Sequence, residues 1–408
     1  MMKKISRYFI FTLFQKIYCQ LIVPSQRYLH TVTLIDNKLY IIGGQYLTDI
    51  SLETIGKEFI CLDISIPFNT LELFWQNLTN INKVPPHIGA ASAENGANLF
   101  LYGGISINDD EKDLIYMFDT RSNSWITINV IGETKKAFLT SVDYEGKMYL
   151  FGGKYKLNDK VSNDMLIFDT ISLSLSSGSL INAPSMRFDY GAVLLPNQTI
   201  VYLGGSIINN EALPLNEVYL YDTIEDSWSV KTTSGYVPSR RSAFSAVLYN
   251  QKIIIFGGKG TTNFTALYEL DITNFDWYIP KISGEIQNPR YWHKANVIGK
   301  YMVISFGCCY DRSIESDILL LDISNDYEYV WTTYFEPLLP SSLPGELPTQ
   351  AAETSLQPNS PPSVLSPIMA TSITIFLLVI IFTYSCKWHK VIKDMPTIPA
   401  YKIIRKSR

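Results

Sequence analysis

Side chains able to do chemistry are sparse in this chain, which holds four histidines and five cysteines among 408 residues and carries a formal net charge of -4. Basic residues recur at a steady interval, as Arg27, His87, Arg187, Arg240 or Arg241, and Arg290. Guanidinium groups spaced in this way could grip carboxylates through paired N–H donors. They could instead satisfy backbone carbonyls at the same point of a repeated unit. His30 and His293 each stand three residues after one of these arginines, in Arg27-Tyr28-Leu29-His30 and Arg290-Tyr291-Trp292-His293. Two imidazoles at matching positions of a repeat are a weak basis for a metal, because a catalytic zinc takes three protein ligands. There is no Ser-His-Asp order, no phosphate-cradling glycine loop and no zinc-ligand spacing. The acidic balance argues against a nucleic-acid partner, which needs a basic face.

More repeats than the basic residue. An apolar run into a glycine pair returns at Gly43-Gly44, Gly103-Gly104, Gly152-Gly153, Gly204-Gly205 and Gly257-Gly258, with a sixth, worn copy at Gly307-Cys308. First glycines are 60, 49, 52, 53 and 50 residues apart, a period that marks a repeat architecture. After each pair comes a stretch of period-two alternation closed by an aspartate: Asp63, Asp119, Asp169, Asp222, Asp271 and Asp322. Six residues beyond three of these stand Trp125, Trp228 and Trp277. Leu175 takes that place in the third unit, while Trp75 and Trp331 arrive late through insertions. A glycine pair at a strand end permits positive φ and close backbone approach, and an indole supplies a large area to bury. The third unit shows no arginine or histidine from Ala137 to Ser141, and the sixth has lost its second glycine, so both read as worn.

This ordered set of basic residue, apolar strand, Gly-Gly, aromatic strand ending in Asp, and Trp resembles the kelch repeat over about residues 24–335. The resemblance implies an all-β fold, a six-bladed kelch-type β-propeller with four strands per blade around a central channel. It implies a loop face that binds a protein or glycan ligand, with Arg27, Arg187, Arg240, Arg241 and Arg290 as candidate contacts near the channel mouth. The reading preferred for these arginines is that they bridge neighbouring blades through carbonyls and aspartates. A second functional class stays open, a secretory-pathway oxidoreductase of the galactose oxidase type. That enzyme's copper site needs two histidines, two tyrosines and a cysteine cross-link, and Cys61, Cys308 and Cys309 sit in no matching motif. No catalytic residue, metal or cofactor is therefore assigned. Propellers commonly complete one blade from both chain ends, and residues 20–24 are the N-terminal candidate. Closure would place Cys61 in the blade next to Cys308 or Cys309, where a disulfide could staple the seam; otherwise Cys61 is a small buried hydrophobe.

The flanks differ from the repeats. Residues 1–19, with a basic start and an apolar run from Tyr8 to Phe14, have the form of a secretory signal peptide, although Lys16 interrupts it and a first strand or an uncleaved anchor is the alternative. Residues 336–367 contain eight prolines, six serines and no basic residue, the composition of an extended stalk. Residues 368–386 are uncharged, about 28 Å long as a helix, and match a membrane span. The tail, 387–408, carries seven Lys and Arg against Asp394 alone, so it should stay cytoplasmic and leave the propeller extracellular or luminal, a single-pass type I topology. Sequons at Asn77, Asn197 and Asn263 would then meet the glycosylation machinery.

Overall fold

The computed structural model describes residues 22–47, 53–106, 115–130, 135–155, 160–260, 266–308 and 317–337. The expected leader, span and tail, nearly all of the stalk, Asn263 and Cys309 lie outside the described residues. No helix among the described residues is long and apolar enough to cross a membrane.

Six sheets follow one another along the chain, antiparallel except for a short parallel strand added at the outer edge of the fifth and sixth. In blade 1 the strands run Thr31–Ile35, Lys38–Ile42, Phe59–Asp63 and Trp75–Asn77 from the axis outwards. The innermost strands of the other blades are Ala91–Asn95, Ser141–Tyr144, Gly191–Leu194, Ser245–Tyr249 and Lys294–Ile298. Each touches the next in turn, and the last touches the first, so the ring is closed. The chain is a six-bladed all-β propeller.

The apolar run before each glycine pair is the second strand, and it reads as continuous because a blade is covered on both faces by its neighbours. Ile253 and Ile255 of Lys252–Phe256 pack with Val201 and Leu203 of blade 4. Ile254 and Phe256, pointing the other way, pack with Met302 and Ile304 of blade 6. Strand alternation thus divides one pentapeptide between two interfaces.

Register places the outer tryptophans. Trp125 stands opposite Phe118, Trp228 opposite Tyr221 and Trp277 opposite Leu270. The late indoles hold the same station, Trp75 opposite Leu62 and Trp331 opposite Leu321, while Leu175 faces Phe168. Insertions in blades 1 and 6 therefore bulge out and return to register. All of these indoles are buried except Trp125, which is partly exposed.

Four expectations need correction. In the sixth unit the glycine lost is the first, not the second. Gly307 N–H donates to Arg27 O at 2.9 Å, as Gly44 N–H donates to His87 O and Gly258 N–H to Arg290 O, so Gly307 is the second glycine and Phe306, at φ 49°, holds the place of the first. The third unit is not missing its basic residue either, because Lys136 occupies that position, one residue before the stretch in which it was sought. Among the described residues the chain ends do not exchange a strand: residues 22–27 form none, and each of the six sheets already takes its four principal strands from one unit. Tyr334–Phe335 instead pairs with Phe68–Asn69 in the insertion of blade 1, stacking Phe335 on Phe68 at 4.6 Å. Finally, Cys61 is a buried thiol whose Sγ donates to Gln76 Oε1 at 3.3 Å, and Cys308 is disulfide-bonded but not to Cys61. Alternation explains this: Cys61 points into the interface with blade 2, whereas Ile60 and Leu62 point towards blade 6.

Candidate functional site: the mouth of the channel

Each unit enters its blade through the same short phrase, and the phrase builds one end of the central channel. Its first position is basic in all six units: Arg27, His87, Lys136, Arg187, Arg241 and Arg290, every one buried. Arg27, Arg187 and Arg241 donate from Nη1 to the carbonyls of Gly43, Gly204 and Gly257 at 3.1–3.2 Å, and Arg290 donates to Phe306 O at 3.2 Å. Ion pairs complete three of the sites, Arg27 with Glu58, Lys136 with Asp164 at 2.7 Å and Arg290 with Asp317 at 2.6 Å. Burial alone pulls the Arg27 guanidinium down to about 10. These side chains tie the Gly-Gly corner to the entrance of their own blade and do not bridge neighbouring blades, a correction to the expectation, because each basic residue and its glycine corner belong to one unit; they are not open to a ligand. Arg240 differs, for its side chain is 53% exposed and meets Glu211 at 3.4 Å.

The second position pairs with the residue just past the glycines, one bridge per blade: Tyr28 with Gln45, Ile88 with Ile105, Ala137 with Lys154, Phe188 with Ser206, Ser242 with Lys259 and Tyr291 with Cys308. Lys154 and Lys259 are thereby fixed at the rim.

The third position surrounds the axis. Leu29, Gly89, Phe138, Asp189, Ala243 and Trp292 all have positive φ. Leu29 N–H donates to Trp292 O, Gly89 to Leu29 O, Phe138 to Gly89 O, Asp189 to Phe138 O, Ala243 to Asp189 O and Trp292 to Ala243 O, at 2.7–3.1 Å. Six backbone hydrogen bonds thus close a circle, and left-handed backbone is what turns each N–H to one neighbour and each C=O to the other. One step inward, His30 Nε2 shares a hydrogen bond with Ser305 Oγ at 2.9 Å and His293 Nε2 with Ser245 Oγ at 2.8 Å. Burial holds both rings neutral, His293 down to about 3 and His30 well below the ordinary histidine value. Among the described residues no three of His, Cys, Asp or Glu gather as a metal site would require.

On the outer side of this circle lies an open cavity of about 400 Å³ lined by Tyr28, Phe138, Lys154, Phe188, Asp189, Lys259 and Trp292, among others. Trp292 stacks on Tyr28 with centroids 5.5 Å apart, and its Nε1–H donates to Asp189 Oδ2 at 2.9 Å. The Lys259 ammonium lies 6.0 Å from the Trp292 ring centre, and that of Lys154 5.6 Å from the Phe188 ring centre. Burial raises the Asp189 carboxyl to about 6, although the Trp292 N–H and then Lys294, Lys259 and Lys154 draw it downwards. The result is an aromatic cup whose rim is basic.

The chain matches the KLHDC2/KLHL20/DRC7 Kelch-repeats domain over residues 29–258 and 192–342. It belongs to this kelch family. Kelch domain-containing protein 3 of Rattus norvegicus is 26% identical over 325 residues, 72% of this chain and 84% of that protein. N-(sulfonatooxy)prop-2-enimidothioate sulfolyase of Thlaspi arvense is 26% identical over 260 residues, 58% of this chain and 71% of the relative. The solved structure of YjhT is similar with a TM-score of 0.60 at 16% identity, covering 76% of this chain and 98% of that one, a likeness of fold alone.

In this kelch propeller the residues at the mouth are largely not the ones the repeat singled out. Counting two residues on from each basic position would have found Phe138, Asp189 and Trp292. Taking the residue after each glycine pair would have found Lys154 and Lys259. Of the two sequons within the described residues, Asn77 and Asn197 are both exposed.

Proposed function

We propose that this kelch propeller is the binding domain of a single-pass type I membrane protein, and that it holds an acidic segment of a partner protein at the Gly-Gly end of its channel. The observation that carries the reading is the placement of Lys154 and Lys259 on aromatic rings around one open cavity. A lysine stem laid against a ring is held in place at low conformational cost, and an ammonium group is a donor suited to a carboxylate. A protein partner fits better than a glycan, because the Trp292 ring that a sugar would stack on already carries Tyr28 and Lys259. The uncharged run 368–386 and the basic tail beyond it support anchoring, and the exposed Asn77 and Asn197 suit an extracellular or luminal propeller. No reaction is assigned.

The test is affinity capture from cells of the full chain beside Lys154→Glu/Lys259→Glu, with enzymatic deglycosylation of both. A set of proteins held by the wild type and lost from the double variant, together with a deglycosylation mobility shift, is the expected result. Equal capture by both would refute the binding site, and unchanged mobility would refute the orientation.

A further inference from the structure

The aromatic rings at the mouth come in two pairs, which stand on opposite sides of the axis. Trp292 of blade 6 stacks on Tyr28 of blade 1 with centroids 5.5 Å apart, and Phe138 of blade 3 meets Phe188 of blade 4 at 6.3 Å. In a closed ring of six, blades 6 and 1 lie across from blades 3 and 4. All four residues line the open cavity of about 400 Å³. Tyr28 and Phe188 are buried, whereas Phe138 and Trp292 keep partial exposure, so these two rings are the ones presented to the cavity.

Both presented rings are held in place. Phe138 and Trp292 belong to the hydrogen-bonded circle, where their φ values are 60° and 55°. The Phe138 ring leans over Gly89, where an added Cβ would come within 2.6 Å of it, so the missing side chain is the space the ring uses. The Trp292 indole donates to Asp189 Oδ2 at 2.9 Å. A wall whose rotamers are already fixed loses little freedom when something binds to it. Tyr28 and the Lys259 ammonium lie over Trp292, which leaves the edge of that ring to the cavity. Ring edges carry the positive part of the aromatic quadrupole and attract the face of a second ring.

We propose that the acidic segment carries an aromatic anchor, a phenylalanine, tyrosine or tryptophan that enters the cup between Phe138 and Trp292 while neighbouring carboxylates meet the basic rim. The inference rests on the reading of the mouth given above and deepens it by naming the side chain that fills the cavity. Its volume lies at the small end of the roughly 300–1,000 Å³ of ligand pockets, which suits one large side chain. The chemistry of the wall selects the guest. Lys259 at the rim is a donor for an acid, and the aromatic wall favours a ring over an aliphatic chain of similar size. A buried aromatic anchor within a polar rim is the arrangement that carries most of the affinity in protein interfaces.

The experiment titrates the full-length chain by calorimetry with three pentapeptides capped at both ends, each with two glutamates on either side of a central phenylalanine, leucine or alanine. The phenylalanine peptide should bind wild type about 10- to 100-fold more tightly than the alanine peptide, the range that burial of one such side chain gives, and about threefold more tightly than the leucine peptide. Phe138→Ala and Trp292→Ala should each cut the preference for phenylalanine over alanine to about threefold or less. Both variants place in the circle a residue it already accepts at positive φ, as Ala243 does at 57°, and the comparison of peptides on wild type needs no variant at all. If the three peptides bind wild type equally and Lys154→Glu/Lys259→Glu loses them all, the anchor is wrong and the mouth stands. A leucine peptide equal to the phenylalanine one, or a preference for phenylalanine that survives both ring variants, also overturns the anchor. If the lysine variant binds as wild type does, or wild type binds none of the peptides, the mouth reading falls and the inference with it.

Discussion

Trp75 stacks on Phe306 where the sixth blade meets the first, with centroids 6.0 Å apart and planes 27° from parallel. An indole meets a phenylalanine of the preceding blade elsewhere in the ring too, though tilted or edge-on rather than stacked, Trp228 to Phe151 at 5.0 Å and Trp331 to Phe256 at 5.5 Å. In those blades the phenylalanine ends the second strand, just before the glycine pair. In the sixth, Ser305 ends the strand and the aromatic ring is supplied one residue later, from the first glycine's place. The seam is therefore closed by the same pair of ring types that meets between other blades, at the cost of a phenylalanine at positive φ, an arrangement worth about 1–2 kcal/mol of strain.

Restoring the repeat's glycine at this position should weaken the protein. Phe306→Gly relieves the backbone but removes the ring between Trp75, His30 and Arg27. Large-to-small changes at such sites lose about 3–5 kcal/mol, so a net loss of about 2–3 kcal/mol is expected once the relief of strain is counted. Chemical denaturation measures it, and a variant as stable as wild type would show that Phe306 does not hold the seam.

Lys136 should behave as the arginines of the other units do. Its ammonium is buried and paired to Asp164, whose side chain is one-third exposed. Lys136→Met should destabilise by about 2 kcal/mol, below the ~3–5 kcal/mol of a fully buried broken pair because water reaches the partner. Arg240→Ala, one residue before a buried arginine but itself exposed, should change stability by less than about 0.5 kcal/mol. The contrast between the two distinguishes a structural basic position from a surface one.

The buried histidines should make the fold sensitive to acid. Burial holds His293 at about 3 in the folded protein, far below its unfolded value. Below about pH 6.5 the unfolded chain therefore binds this proton first, and stability falls by up to about 1.4 kcal/mol for each further pH unit. His293→Gln removes the titration. Its deficit relative to wild type at pH 7.5 should shrink by about 1–2 kcal/mol at pH 5, whereas a constant deficit would mean that His293 is not held neutral. Asp189 and Asp143 shift stability in the opposite sense but are common to both proteins.

How much of this was legible depends on whether the cause was local. The second strands showed themselves because cover on both faces demands a continuous apolar run. The recurring aspartates showed themselves because each closes its own turn, Asp119 Oδ1 accepting from Arg121 N–H, Asp222 Oδ1 from Ile224 N–H and Asp322 Oδ1 from Ser324 N–H. Arg240 and Arg241 could not be told apart, since adjacent residues differ only in the face to which the backbone turns them. Lys136 escaped notice because a cation can be replaced by another of different shape when its partner is a carboxylate. The circle of hydrogen bonds through Leu29, Gly89, Phe138, Asp189, Ala243 and Trp292 was hidden altogether. It uses backbone groups that are brought together only by ring closure, and side chains as unlike as glycine and tryptophan serve it equally.

The claim that a partner docks at the mouth is tested most directly by covalent capture from two positions on the same blade. A photo-reactive p-benzoylphenylalanine replaces Asn210, an exposed residue lining the mouth, or Ile224, an exposed residue in the turn at the opposite end of blade 4. Irradiation in cells should give a crosslinked partner from position 210 and none from position 224, and Lys154→Glu/Lys259→Glu should abolish the product. A crosslink from position 224 alone, or a product at position 210 that is indifferent to the two lysines, would contradict the account.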